Sequence, residues 1–453
     1  MVPVHMHPAQ LLLFQQLNHR QVKSSINDLS QFALEYGISY SQLKDFNMWL
    51  RSRKLPVKEG NSYMILIPFI YFTALFIYLR KKHDGIDVSA FLSLLYAFMS
   101  FFAIIIEARG IYDINGVCER TPITFGAVFS YCALLTLSIV PFSRLRSTSL
   151  KNITITKPQL MDFVSWGLIL TFILTLIMLF SDIYTALTSD LSEVRSMVYG
   201  DDEGHHVSGL RWWLLLPNTL FSQFSPIAIL FFYINVSQSR KSNLFNYMLL
   251  ASSITPILSA ILIAGRTQII YWLLSYLLCF FLFRNQMNAE QRRIVVRPFL
   301  VFAGAFVLFF ASVTLARFTS NTLDSDTNTL NSVIAYTGQA FINYNNFFNH
   351  YICHKISFNR IMPVSHYFVI DPGWTLKNYR AQIMTQTGMN IGVFYTFLGD
   401  LMVDLSKVGM TIFVLLFAGI STFLSRQEED NSIPIYRMLI VQLLILIPLQ
   451  GLF

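Results

Sequence analysis

Charge is what this chain has least of. Asp, Glu, Lys and Arg together make up 13% of its 453 residues, against 54% hydrophobic. A soluble domain carries about twice that charge, so a water-surrounded globule is excluded. Cysteine is scarce as well. The four are Cys118, Cys132, Cys279 and Cys353, with no CxxC spacing and no His/Cys cluster, which removes a zinc module. No internal repeat is visible, which argues against the repeated halves of a transporter. The net charge of +8 is no nucleic-acid signal, because the excess sits in short loops and reads as membrane topology.

What is present is a succession of apolar runs. Mean hydropathy is +0.50, and runs of about 18 residues or more are long enough to cross a hydrocarbon core of roughly 30 Å. Continuous runs of that length exclude a membrane β-barrel. The expectation is an all-α polytopic membrane protein. Ten spans are predicted at 62–79, 88–107, 122–142, 160–181, 213–236, 244–264, 267–284, 295–316, 406–424 and 433–451.

Every second loop is basic. Arg80, Lys81 and Lys82 follow the first span, Arg144, Arg146, Lys151 and Lys157 the third, and Arg240 and Lys241 the fifth. Arg284, Arg292, Arg293 and Arg297 flank the seventh connection. These loops are expected in the cytoplasm. The alternate loops hold Glu107, Asp113, Asp182, Asp190, Glu193, Asp201, Asp202 and Glu203 and are expected outside, together with the longest loop, about 317–405. Cys132 and Cys279 fall inside apolar runs and read as packing residues. Cys118 and Cys353 fall in outer loops, where spacing leaves a disulfide open.

Residues 1–63 are treated apart from the domain at 64–453. They hold seven Lys and Arg residues, yet the alternation puts them outside, and they contain no secretory signal pattern. The stretch FALEYGISYSQLKDFNMWLRSRKLPVKEGNSYMILIP resembles a LysM glycan-binding module. Its would-be last strand, Tyr63 to Pro68, is also the start of the first span. The competing expectation is a translated leader or fusion scar ahead of a start at Met64, and that reading stands slightly in front.

Three arginines border the membrane on the outer face: Arg195 in an acidic loop, Arg266 in a Gly-Arg-Thr-Gln turn between two spans, and Arg317 at the end of the eighth. Border arginines commonly snorkel. Three on one face of so uncharged a chain point instead to an anion site, since the guanidinium fork holds phosphate or pyrophosphate bidentately. His205 and His206 are adjacent, not four apart, which speaks against a metal site.

The long outer loop, FINYNNFFNHYICHKISFNRIMPVSHYFVIDPGWTLKNYRAQIMTQTGMNIG, is rich in Asn, Tyr, Phe and His. Rings stack on sugar faces and amides bond hydroxyls, so Tyr344, Trp374 and Arg380 are expected glycan contacts. A folded loop with its own small core fits the same composition. Acid–base candidates are His350, His354, His366 and Asp371, then Asp400 and Asp404, four apart on one helical face. Histidine needs little tuning to work near neutral pH. His366, bounded by Pro363 and Pro372, is favoured, then Asp404 and Asp400.

Together these pieces resemble the Wzy-type oligosaccharide repeat-unit polymerases, relatives of the O-antigen ligases. The residues that carry the resemblance are Arg195 followed by VSGLRWW, the Gly265-Arg266 turn, the long outer loop, and TFLGDLMVDLSKVG with Thr396, Gly399, Asp404 and Gly409. It covers nearly all of 64–453. It implies a membrane glycosyltransferase of GT-C-like fold in a bacterial inner membrane, with the active site facing the periplasm. The implied reaction joins undecaprenyl-pyrophosphate-linked repeat units into O-antigen or capsular polysaccharide. No cofactor, metal or nucleic acid is implied. The implied partners are the lipid-linked glycan, membrane lipid and a chain-length regulator protein. An O-antigen ligase, or a lipid-linked oligosaccharide flippase, is the alternative.

Overall fold

The computed structural model describes residues 62–112, 121–145, 150, 152–188, 224–262, 267–319, 329–352 and 395–450, with a few positions between 356 and 393. It is mostly helical. The described helices are α1 (Leu66–Lys82), α2 (Val88–Arg109), α3 (Phe125–Ile139), α4 (Pro158–Thr188), α5 (Ser225–Ser237), α6 (Asn243–Ser252), α7 (Thr255–Leu262), α8 (Thr267–Phe283), α9 (Ala289–Thr319), α10 (Thr329–His350), α11 (Thr396–Leu424) and α12 (Ile435–Gln450). Two short strands, β1 (Asn152–Thr154) and β2 (Ser432–Pro434), pair in parallel.

Among the described residues, five helical segments are long and apolar enough to cross a membrane: Tyr63–Lys82, Val88–Arg109, Phe125–Arg144, Pro158–Phe180 and Thr396–Leu424. Shorter apolar helices run over Ser225–Ser237, Gln268–Phe283 and Ile435–Leu449. An all-α membrane protein accounts for them. Local chemistry sets several boundaries. Asp87 caps α2 by accepting from the Ala90 N–H at 2.7 Å, and Gly110 ends it in the left-handed conformation, φ 64°, as C-terminal glycines do. Arg80, Lys81 and Lys82 occupy the last turn of α1, where the helix dipole favours cations.

The predicted basic loops gather at one end of the bundle. Arg284, at the end of α8, lies over Gly85 in the α1–α2 turn. Gln238, after α5, donates to Ile153 O at 2.9 Å and Asn152 Oδ1 at 2.7 Å in β1. Gln291 donates to Ser237 O at 3.2 Å, and Lys241 pairs with Asp162 at 2.6 Å. The β1–β2 pairing draws in the loop between α11 and α12. At the opposite end, Thr124 at the start of α3 meets Asn345 and Asn349 near the end of α10.

Three sequence expectations need revision. The single span at 244–264 is two helices, α6 and α7, broken at Ser253 and Ile254. Pro256 is the cause: it has no N–H for the helical ladder, and its ring clashes with the carbonyl four residues back. The ninth span does not begin at 406. Its helix starts at Thr396 and bends at Ser406, φ 69° and ψ 174°. Finally, the loop at 317–405 opens not as a loop but as the last turn of α9, and then holds the 22-residue helix α10. α10 packs lengthwise along α2 and also meets α3 and α11. Gly338 makes this possible: a Cβ there would fall 2.5 Å from the Phe102 carbonyl carbon and 2.6 Å from Ala103 N.

Candidate functional site

Of the residues singled out in the sequence, Arg195, Arg266, His366, Trp374 and Arg380 lie outside the described residues, as do His354, Asp371, Cys118 and Cys353. Arg317 falls in the last turn of α9. His350 ends α10 and is exposed. Cys132 and Cys279 are buried and free. Among the described residues no group of His, Cys, Asp and Glu has a metal-binding arrangement.

Tyr344 is fully buried. Its hydroxyl bonds Ser130 Oγ at 2.8 Å, and its ring packs against Tyr131 and Phe348. That ring is part of the helix packing. Its neighbours form an amide ladder along α10. Asn343 Nδ2 donates to Gln339 Oε1 at 3.1 Å. Asn349 Nδ2 donates to Asn345 Oδ1 at 3.1 Å, and Asn345 Nδ2 to Thr121 Oγ1 at 3.1 Å. Of the asparagines read as sugar contacts, Asn345 and Asn349 join α10 to the start of α3, and Asn343 bonds along its own helix.

The segment TFLGDLMVDLSKVG has a definite geometry. Thr396 enters α11 at φ 66°. Gly399 leaves room for the Tyr395 ring, since a Cβ there would sit 1.9 Å from Cδ2. That ring stacks on Phe347 with centroids 4.4 Å apart. Asp404 is fully buried. It accepts from Ser357 Oγ at 2.7 Å through its carboxylate and from Ser357 N at 2.9 Å through its carbonyl. Gly409 follows the Ser406 bend, which brings the Leu405 Cβ to 2.7 Å from where a Cβ would be. So these positions build a bent helix and pin the chain at Ser357 to it. Asp400, one turn before Asp404, is only partly buried and lies within electrostatic reach of the Tyr271 phenol on α8, as does Tyr336 on α10.

Tyr271 also lines a cavity at the end away from the basic loops. Ser225 contributes from the start of α5, Ser253 from the α6–α7 break, and Gln268, Trp272 and Ser275 from α8. Ile229, Ile257 and Leu446 close its apolar side. It offers about 60 Å³, room for roughly four to six waters. Gln268 to Ser275 spans seven residues, so it reaches about 10 Å down the helix. The break caused by Pro256 shapes this wall: Trp272 Nε1 donates to Ser253 Oγ at 2.7 Å, and Ser253 Oγ donates to Leu250 O at 2.6 Å. Tyr271 escaped the sequence reading. The available signal was its place one turn into a span, near the border where interfacial aromatics collect, five residues after Arg266.

The family model for the soluble lytic transglycosylase C-terminal LysM-like domain matches residues 18–69. This is the stretch whose resemblance to LysM was visible in sequence, and it suggests cell-wall or glycan association. Its last residues are helical: Ser62–Ile65 form a 3₁₀ turn and α1 begins at Leu66, where a LysM module would have its last strand. No curated protein and no solved structure matches the chain.

Proposed function

We propose that this chain is a membrane glycosyltransferase that joins lipid-pyrophosphate-linked oligosaccharide units at the outer face of the bacterial inner membrane. In this reading a hydroxyl on the acceptor unit attacks the anomeric carbon of the donor. Its C1–O bond to the pyrophosphate breaks, and the lipid pyrophosphate leaves. Arg195, Arg266 and Arg317 stabilise the charge that develops there, a contribution of about 3 kcal/mol per well-placed donor in a dry site.

The observation that supports the reading is a cavity lined by hydroxyls, an amide and aromatic rings, with Asp400 outside its lining but within electrostatic reach of Tyr271. Asp404 is committed to Ser357, so of the two aspartates Asp400 is better placed to take the acceptor proton. His366 remains the competing base. The LysM-like match supports a glycan setting without naming the sugar.

Deletion of the gene, with lipopolysaccharide or capsule resolved on a gel, tests the reading. Loss of the ladder with retention of a core-plus-one-unit band is the expected result. Loss of both would transfer the chain to the ligase or flippase class. Arg266→Ala at normal expression should abolish chain extension, and Arg266→Lys should restore it only partly, because an ammonium lacks the bidentate fork.

A further inference from the structure

The cavity beside Tyr271 has a composition that narrows what it can hold. Its lining carries no charged side chain among the described residues, so nothing there balances a phosphate. Ser225, Ser275 and Gln268 would lose water to an acyl chain and gain no hydrogen bonds in return, which makes a lipid tail a costly occupant. A neutral molecule with closely spaced hydroxyls suits both walls. The Ile229, Ile257 and Leu446 side takes carbon, and the serine and amide side takes hydroxyls.

The two rings have different duties. Trp272 is 4% exposed and its N–H is held by Ser253, so it is part of the wall. Tyr271 is only partly buried and lines the cavity. Some 60 Å³ admits one edge of a six-membered sugar and displaces the waters there.

We propose that this cavity takes the edge of one sugar ring, set against Tyr271 and bonded through its hydroxyls to Ser225 and Ser275, with Gln268 at the rim, as a subsite of the lipid-linked glycan. The source of that sugar rests on the function proposed above. The binding chemistry does not.

Two arms separate the claims. First, Gln268→Cys, exposed at the rim, is labelled with a maleimide in the purified full chain. The labelling is run with millimolar glucose, galactose or N-acetylglucosamine, against glycerol at equal concentration. At least one sugar should slow labelling about threefold, as expected near twice its dissociation constant. Adding Ser275→Leu, which fills the cavity, or Tyr271→Ala should remove the protection, while Tyr271→Phe should keep it. No protection by any of the sugars overturns the proposal, and so does protection that survives both Ser275→Leu and Tyr271→Ala. Second, on a lipid-linked repeat unit, Tyr271→Ala should raise KM about tenfold, the equivalent of 1.4 kcal/mol, with kcat changed less. An unchanged KM with normal turnover sinks the subsite and leaves the glycosyltransferase reading standing. Sugar protection in a protein that never extends chains does the reverse.

Discussion

Asp404 shows how a carboxylate at a tempting spacing can be structural. Its buried side chain holds Ser357, so Asp404→Asn, which keeps the acceptor oxygen, should leave the melting midpoint nearly unchanged and turnover within about threefold of wild type. Asp404→Ala should cost about 1–3 kcal/mol by stranding that hydroxyl. A collapse of turnover in Asp404→Asn, at unchanged stability, would make it the base after all. Asp87 gives a pH signature at the other end. Burial pushes its carboxyl above the ordinary 3.8, against the pull of the Ala90 N–H and His83. A raised folded value means that the stability contribution is full at pH below the ordinary value and fades as pH rises through the raised one. Asp87→Asn keeps the cap, so wild type should gain on this variant as pH falls toward 4. Parallel melting profiles would refute the assignment. The Asp404 role is not legible in sequence, because its partner Ser357 lies 47 positions away; His83 and Asp87 are four apart, but they sit in the turn between α1 and α2 and only the structure shows them paired.

At the scale of elements, hydropathy marked the apolar runs but not where their helices start, bend or break. The span expected at 244–264 runs straight across Pro256, and the Asp87 cap that starts α2 comes only from the structure. α10 was not legible as part of the bundle. Its Gln339, Asn343, Asn345 and Asn349 lower its apolarity, and only neighbouring helices show that the amides are satisfied. The close contact at Gly338 is the sharpest test of this packing. Gly338→Ala pushes a methyl into the α2 backbone, which cannot rotate away, and should cost about 1–3 kcal/mol or more. Gly419→Ala, on a face of α11 with nothing within 4 Å, should be neutral or stabilising by up to about 1 kcal/mol. Thermal midpoints in one detergent decide it. Equal effects at the two positions would mean that α10 does not lie against α2 as described.

For the whole molecule, the charge alternation in the sequence and the gathering of basic loops in space are independent observations that agree. A cysteine at Ser239 should therefore react only with reagent from the cytoplasm, and one at Gln268 only from outside. Labelling of both from one side would break the topology. The segment at 18–69 adds a second separable property. Removing residues 2–61 should leave the helical bundle folded and abolish sedimentation with insoluble peptidoglycan, if the LysM-like match reflects glycan binding. Retained sedimentation would move that property to the membrane region. The candidate anion site was legible only as a pattern of arginines. The cavity was not legible at all, since four separate helices close it.

The parallel pairing of β1 and β2 also carries a timetable. Asn152 meets Ser432, 280 positions later, and the Tyr96 hydroxyl donates to Pro448 O near the end of the last described helix. At a translation rate of 5–20 residues per second, β1 waits roughly 15–60 s for its partner. During that interval the inner edge of the half-made bundle is unclosed, and Ile153, fully covered in the finished protein, has nothing from β2 to cover it. A ribosome that stops before Ser432 therefore releases a chain with most of its helices inserted and its seam open, a form that membrane quality-control proteases can recognise.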